Sequence, residues 1–328
     1  MREIRRDPLT GDEVLLSEDR ALERIPTAPA APGPEHCPFC PGHESSTTPT
    51  IDTVGRDGRW VARAFANRRP AVALEGVGGV TSDGPYQRTG GIGAHEVVVE
   101  APEHAPLHTL PVERTIDALT LAVRRMRDLH TDPRLRVLQW FRNQGTGAGA
   151  SQSHPHAQIV ALPLVPRRIA ALLAHSRAHH GATGRSLLAT VREADEQDRR
   201  RVLFHEGPVL AVCPFAPRHP FEVWLVPEAP GPSFADATPD EIDALSRAMH
   251  RVYQALAAVV GAAPTTATAL GAPAGEEPSG LGWHVRIAPR LVVHAGLEEA
   301  TGLRVHSVFP EQAADLLRRR SPPDDRHR

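Results

Sequence analysis

Two periodicities alternate along the chain, and each change from one to the other marks an element. Within Val112–His130 the apolar residues Ile116, Leu119, Val123, Met126 and Leu129 recur at steps of three and four. That spacing puts them on one face of a helix. Asp132-Pro133 ends it, because the residue before proline is driven out of the helical region. Pro239–Val260 repeats the pattern with Ile242, Leu245, Met249, Val252, Leu256 and Val259. Short runs rich in branched and aromatic residues predict strands at Glu13–Ser17, Trp60–Ala66, His95–Glu100, Leu135–Phe141 and His154–Leu162. Further runs predict Val209–Val212, Glu222–Val226 and Trp283–Ile287. The glycine-rich segment Gly76–Gly93 reads as an exposed loop, and 143–151 as a turn that folds the strand at 154 back on the one before it. Residues 167–200 read as helical, charged towards their end, and suited to a hinge.

The helix-then-strand order of residues 112–162 returns in the second half, although no sequence repeat is visible. The expectation is an α+β fold of two similar halves with antiparallel sheets flanked by helices: residues 1–175, residues 176–320, and a disordered tail at 321–328.

Composition narrows the function. Acidic and basic residues nearly cancel, 39 against 37, so no global field favours nucleic acid or an anionic membrane, and a small metabolite is the expected partner. No apolar run nears the roughly 20 residues of a membrane span, and the start lacks a secretion signal, which predicts a cytoplasmic protein. The chain contains no lysine. A phosphate loop ending in Gly-Lys-Ser/Thr and a lysine-linked nucleotide are therefore excluded, and phosphate must be held by arginines, amides, polar side chains or metal.

The stretch His154-Pro155-His156-Ala157-Gln158 carries the most chemistry. In a strand, side chains two apart share a face, so His154, His156 and Gln158 line up roughly 7 Å apart while Ala157 and Ile159 turn towards packing. An imidazole is largely neutral at pH 7 and can attack phosphorus without special activation. Gln158 can donate to a phosphoryl oxygen, and the amides of Gly145–Ser151 can form an anion nest. Cys37-Pro38-Phe39-Cys40 suggests metal or redox chemistry, or a pair of plain buried thiols. Cys213 reads as a buried apolar side chain, and His95, His108, His179 and His180 as surface or packing residues.

The pattern Asn143-x-Gly145, Gly149-Ala150-Ser151 and His154-Pro155-His156-x-Gln158 resembles the active-site signature of galactose-1-phosphate uridylyltransferases, a branch of the histidine-triad superfamily. Asp7–Gly11, Cys37–Gly42, Asn67, Gly93–Val97, Pro102–His104, Pro214–Ala216, Pro220–Trp224, Trp283-His284 and Pro289–Leu291 are similar in the same order. The resemblance implies that His156 takes uridine monophosphate from a UDP-sugar and passes it to a sugar 1-phosphate, in two displacements. It implies phosphoryl contacts from Ser151 and Gln158, phosphate-binding arginines at Arg20 and Arg24, and nucleotide contacts from Asn67, Asn143 and the Gly149 turn. It also implies zinc held by Cys37, Cys40, His104 and His154, and a homodimer with sites near the subunit interface.

The likeness thins in places. A second metal site of some members meets Leu270 and Gly282 here, so His284 is expected without partners and the site without metal. Glu298 matches a sugar-reading position, but Arg304 stands where a glutamine does. Asn67 is followed by Arg68-Arg69 in place of an acidic and an aromatic residue. The acceptor sugar and the base are thus open. Alternatives are a uridylyl- or adenylyltransferase, or a phosphorylase, using another sugar 1-phosphate, phosphate or nucleoside triphosphate, and a non-catalytic nucleotide-binding zinc protein.

Overall fold

The computed structural model describes residues 1–18, 33–76, 78–273 and 280–321. Arg20, Arg24 and the tail beyond Ser321 lie outside them. In chain order the elements are β1 (Arg2–Arg6), β2 (Glu13–Ser17), β3 (Thr50–Arg56), β4 (Arg59–Ala66), β5 (Val80–Asp83), β6 (Tyr86–Thr89), β7 (Ala94–Val99) and α1 (Val112–Leu129). There follow β8 (Val137–Gln144), β9 (His156–Leu162), α2 (Arg167–Thr183), α3 (Leu187–Asp198), β10 (Val202–Glu206), β11 (Val209–Val212) and β12 (Val223–Pro227). The chain continues with α4 (Pro239–Val260), β13 (Thr265–Leu270), β14 (His284–Pro289), α5 (Gly296–Thr301), β15 (Arg304–His306) and α6 (Pro310–Arg320).

Ten of these strands form one sheet, in the order β3-β4-β7-β9-β8 continuing into β13-β14-β12-β11-β10. Read outward from the β8–β13 seam, both sides have the same topology. Each has a hairpin, a third strand, a long helix and a fourth strand, with the fifth strand inserted between the third and the fourth. Every pairing in it is antiparallel. The seam pairs Thr265 to Thr268 with Gln144 to Phe141. β13 escapes the sequence pattern because its inward residues, Thr265, Ala267 and Ala269, are small or polar and contrast weakly with their neighbours.

Both amphipathic helices lie on one face of the sheet. Leu119, Val123 and Met126 of α1 share a core with Leu245, Met249 and Val252 of α4 and with inward residues of both halves of the sheet. Thr238 starts α4 with reciprocal bonds, its hydroxyl accepting from the Glu241 amide at 3.2 Å while its own amide donates to the Glu241 carboxylate at 2.8 Å. Arg127 of α1 donates to the carbonyls of Ala235 and Ala237 at 2.7 and 2.9 Å, a further bond between the halves.

The other face is treated differently on the two sides. Residues 167–200 are not a free hinge: α2 and α3 lay Leu172, Leu173, Leu187 and Leu188 on Leu210, Val212, Trp224 and Val226. The predicted boundary between residues 175 and 176 falls inside α2. Within Gly76–Gly93, residues 78–89 are exposed as expected, but they carry the β5–β6 hairpin, and Ile92 is buried. Among the described residues no helix is long and apolar enough to cross a membrane.

Candidate active site and metal centre

β9 sits between β7 and β8, with His156 opposite Val99, and Gln158 opposite Val97 and Phe141. Ala157, Ile159 and Ala161 turn into the helix-side core with at most 1% exposure. The alternate residues His156 and Gln158 therefore face the other way, into a cavity of about 1110 Å³ lined also by Phe39, Asn67, Arg68, Arg69, Gly149 and Ser151. The one-face alignment predicted for His156 and Gln158 is what the strand delivers. His154 lies just before the strand and is buried with Cys37, Cys40 and His104.

His156 is 6% exposed, and its Nδ1 lies 2.9 Å from the carbonyl oxygen of His154. An oxygen that only accepts requires Nδ1–H, so Nε2 carries the free lone pair. Burial holds this imidazole below the ordinary histidine value, against the raising influence of the His154 carbonyl and of Glu100. The ring is thus neutral and nucleophilic at pH 7. Glu100 is itself buried and paired to Arg142 at 2.7 Å.

Cys37, Cys40, His104 and His154 place one ligand atom each within 4.8 Å of one another, a group that could hold a metal ion. Cys40 Sγ is 3.4 Å from His104 Nδ1 and 3.5 Å from His154 Nδ1. Ligands of a tetrahedral zinc stand roughly 3.3–3.8 Å apart, so the spacing fits. Both histidines offer Nδ1 while Nε2 is held elsewhere, by the Ala101 carbonyl at 2.8 Å for His154 and by the Ser153 hydroxyl at 2.7 Å for His104. Such outer bonds fix the ring orientation a metal needs. Burial and the neighbouring Cys37 push the Cys40 thiol up to about 11, so a cation is what would make this thiol a ligand.

Three amides of the glycine turn are not free for the predicted nest. The amides of Ala148, Gly149 and Ala150 donate to Gly145, Thr146 and Gly145 carbonyls at 3.1, 2.9 and 3.2 Å, inside the turn itself. A short 3-10 turn uses these three donors internally, and Gly149, Ser151 and Gln152 are its contribution to the cavity wall. Asn143 lies on β8 opposite Thr266 and does not line the cavity.

Glu298 and Arg304 are also away from the cavity. Glu298 accepts the Ala295 amide at 3.0 Å and is buried, while Arg304 donates to His294 Nδ1 at 2.7 Å. One contributor the sequence reading missed is His95, taken as a surface or packing residue, whose Nε2 lies 2.7 Å from Gln158 Oε1. Its partner is 63 residues away, so nothing local in the sequence announces it.

The family model for the N-terminal domain of galactose-1-phosphate uridyl transferase matches residues 1–166. An ADP-glucose phosphorylase of Arabidopsis thaliana is 29% identical, over 96% of this chain and 92% of its own. A galactose-1-phosphate uridylyltransferase of Thermotoga maritima is 26% identical, over 97% and 98%. Among solved structures, an Arabidopsis thaliana ADP-glucose phosphorylase with bound ADP-glucose superposes with a TM-score of 0.84 at 28% identity, covering 98% of this chain and all 100% of that one.

Proposed function

From the premise that this chain belongs to the galactose-1-phosphate uridylyltransferase family, we propose that it moves a nucleoside monophosphate from a nucleotide sugar to a phosphate-bearing acceptor through His156. The first reading is transfer of UMP from a UDP-sugar to a sugar 1-phosphate. The observation that carries it is the buried, neutral imidazole whose Nδ1 is fixed by the His154 carbonyl while the ring lines a large cavity.

In the first displacement the Nε2 lone pair forms a bond to the α-phosphorus as the bond to the bridging oxygen breaks, and sugar 1-phosphate leaves with that electron pair. Nδ1 keeps its proton, so the substituted ring is cationic. The His154 carbonyl and the nearby Glu100 carboxylate stabilise that charge. In the second displacement an acceptor phosphate oxygen attacks the same phosphorus and Nε2 recovers its lone pair. Both leaving groups are stable without protonation, so positioning and charge stabilisation carry the catalysis. Gln158 and Ser151 serve the phosphoryl oxygens, and Asn67 and Gly149 the nucleotide, with Asn143 set behind Gly149.

Zinc is the metal we assign to Cys37, Cys40, His104 and His154, where it would tie the segment from Cys37 to His154, two residues before the nucleophile. The proposal further takes the protein as cytoplasmic, as tandem halves of like topology, and as a homodimer. A homodimer gives the half-buried Arg304 a route to the substrate of a neighbouring copy, with the buried Glu298 holding the turn at Ala295.

A second reading is an ADP-sugar phosphorylase, with inorganic phosphate as acceptor. It is favoured by the 29% identity to the Arabidopsis thaliana protein of that name. Arg68 and Arg69 on the cavity wall also suit a dianionic acceptor. Intact-mass measurement after incubation with UDP-glucose or ADP-glucose separates the readings: a UMP or an AMP increment identifies the base, and its discharge by galactose 1-phosphate or by phosphate identifies the acceptor. No increment with either donor would refute both.

A further inference from the structure

We propose that His95 is a positioning residue for this transfer, locking the Gln158 amide so that its nitrogen, and not its oxygen, points into the cavity. The inference rests on the nucleotidyl-transfer reading of His156. It concerns a hydrogen-bond chain that begins at backbone amides and ends at the phosphoryl site.

The chain is set by a turn. After β4 the backbone passes through Asn67–Ala71, and the amide of Ala71 donates to His95 Nδ1 at 3.1 Å. A backbone N–H can only donate, so Nδ1 is unprotonated and the neutral ring carries its proton on Nε2. Nε2–H then points at Gln158 Oε1, 2.7 Å away. The same turn fixes Asn67, whose Oδ1 accepts the Arg69 amide at 2.9 Å. That leaves the Asn67 Nδ2 as a donor, 3.1 Å from His95 Nε2 and 3.4 Å from Gln158 Oε1; with the Nε2 proton already on the ring, its acceptor is the Gln158 oxygen. Two donors therefore converge on one carbonyl oxygen, and an amide oxygen has two lone pairs to offer.

The consequence for Gln158 is an orientation. Turning its amide over would set N–H against N–H at both contacts, which leaves two half-buried donors unpaired. The side chain is thus held with NH2 towards the space beside His156, where charge accumulates on the phosphoryl oxygens during either displacement. A donor already aimed before reaction needs no reorganisation. His95 and Gln158 are brought side by side because β7 and β9 are paired, with His95 opposite Val160 and Val97 opposite Gln158.

The test is a double-mutant cycle on the loading of His156, followed by rapid-quench intact mass with UDP-glucose and ADP-glucose. His95→Phe keeps a ring and removes the donor; His95→Gln restores an N–H near the position of Nε2. We expect His95→Phe to slow loading by about 10–100-fold, within the range seen when one oriented donor is lost, with little change in the concentration giving half-maximal rate. His95→Gln should recover most of that loss, and His95→Phe should add almost nothing to Gln158→Ala. Equal slowing of the wild-type and Gln158→Ala proteins would show a merely structural effect and overturn the proposal, as would no slowing at all. If His95→Phe fails to fold, nitrogen-15 NMR of the histidines in the wild-type protein decides: a proton on His95 Nδ1 sinks the idea, and one on Nε2 supports it. The NMR result stands whether or not any nucleotide sugar loads His156, so failure of the broader reading is distinguishable.

Discussion

His156 and His284 each begin the strand inserted last into its half of the sheet, and the ladders around them correspond. Gln158 stands opposite Val97 and Phe141, and Arg286 opposite Trp224 and Thr268. What differs is the layer over that face. In the first half it is the Cys37–Cys40 segment, which leaves a cavity beside His156. In the second it is α2 and α3, and His284 is sealed against Trp224 with ring centroids 5.0 Å apart. Neither His284 nitrogen has a hydrogen-bond partner among the described residues. Arg286 is neutralised by Glu222, whose carboxylate also accepts from Trp224 Nε1 and from the amides of Arg218 and His219 at 2.8–3.2 Å. A strand position supplies the direction of a side chain; the covering layer decides whether that direction leads to substrate or to a neighbour.

The sharpest way to break this contrast is to remove each histidine in turn. His156→Gly should lower nucleotidyl loading by at least about 10⁴-fold, as loss of a covalent nucleophile does. His284→Leu should load at the wild-type rate. A labelled His156→Gly protein would remove the distinction altogether.

Stability should show the reverse. Glu222→Ala leaves Arg286 buried and unpaired, which costs about 3–5 kcal/mol, while the loading rate constant of the folded fraction stays unchanged. Urea unfolding measures the first and single-turnover mass spectrometry the second; a cost below about 1 kcal/mol would mean the ion pair is not what closes this half.

The buried His284 should also make the protein acid-sensitive. Burial, with Arg286 nearby, holds its ring down to about 3, so the folded state binds a proton less readily than the unfolded one. Stability from this group is complete above the unfolded value of about 6.5 and falls as pH drops from there towards 3. His284→Leu should therefore lose about 2 kcal/mol less than wild type between pH 7 and pH 5. Parallel loss in both proteins would assign the acid limb elsewhere.

A smaller effect is expected at the mouth of the open half. Arg68 and Arg69 are the fixed cations among the described residues lining the cavity, against the single carboxylate Glu35. Replacing both with glutamine should raise KM for a phosphate acceptor by about tenfold at low salt and by little at high salt, because exposed charges are screened. A salt-independent change would point to lost packing.

Much of this was legible from residue order. Ile116, Leu119, Val123, Met126 and Leu129 placed α1 to within a residue of its end, since a long apolar stripe has few alternative explanations. His156 and Gln158 were legible because the two-residue period of a strand fixes their common face. The seam was not, because β13 presents alanine and threonine inward and carries little apolar contrast. Nor was the role of His95, which depends on a backbone amide 24 positions earlier and an acceptor in another strand. In the glycine turn the flexibility was visible, while the internal acceptors of the Ala148, Gly149 and Ala150 amides were not. Why Arg304 faces His294, when the family resemblance places it at the sugar, has no account in one copy of the chain.

At the seam, β8 and β13 lie edge to edge. Each of these strands hides the other's row of open amides and carbonyls, so a fragment stopping at residue 166 would bare that row on β8 and recruit further copies of itself. The two halves should accordingly melt as one cooperative unit, and nicking the chain between them should yield aggregates in place of two soluble pieces.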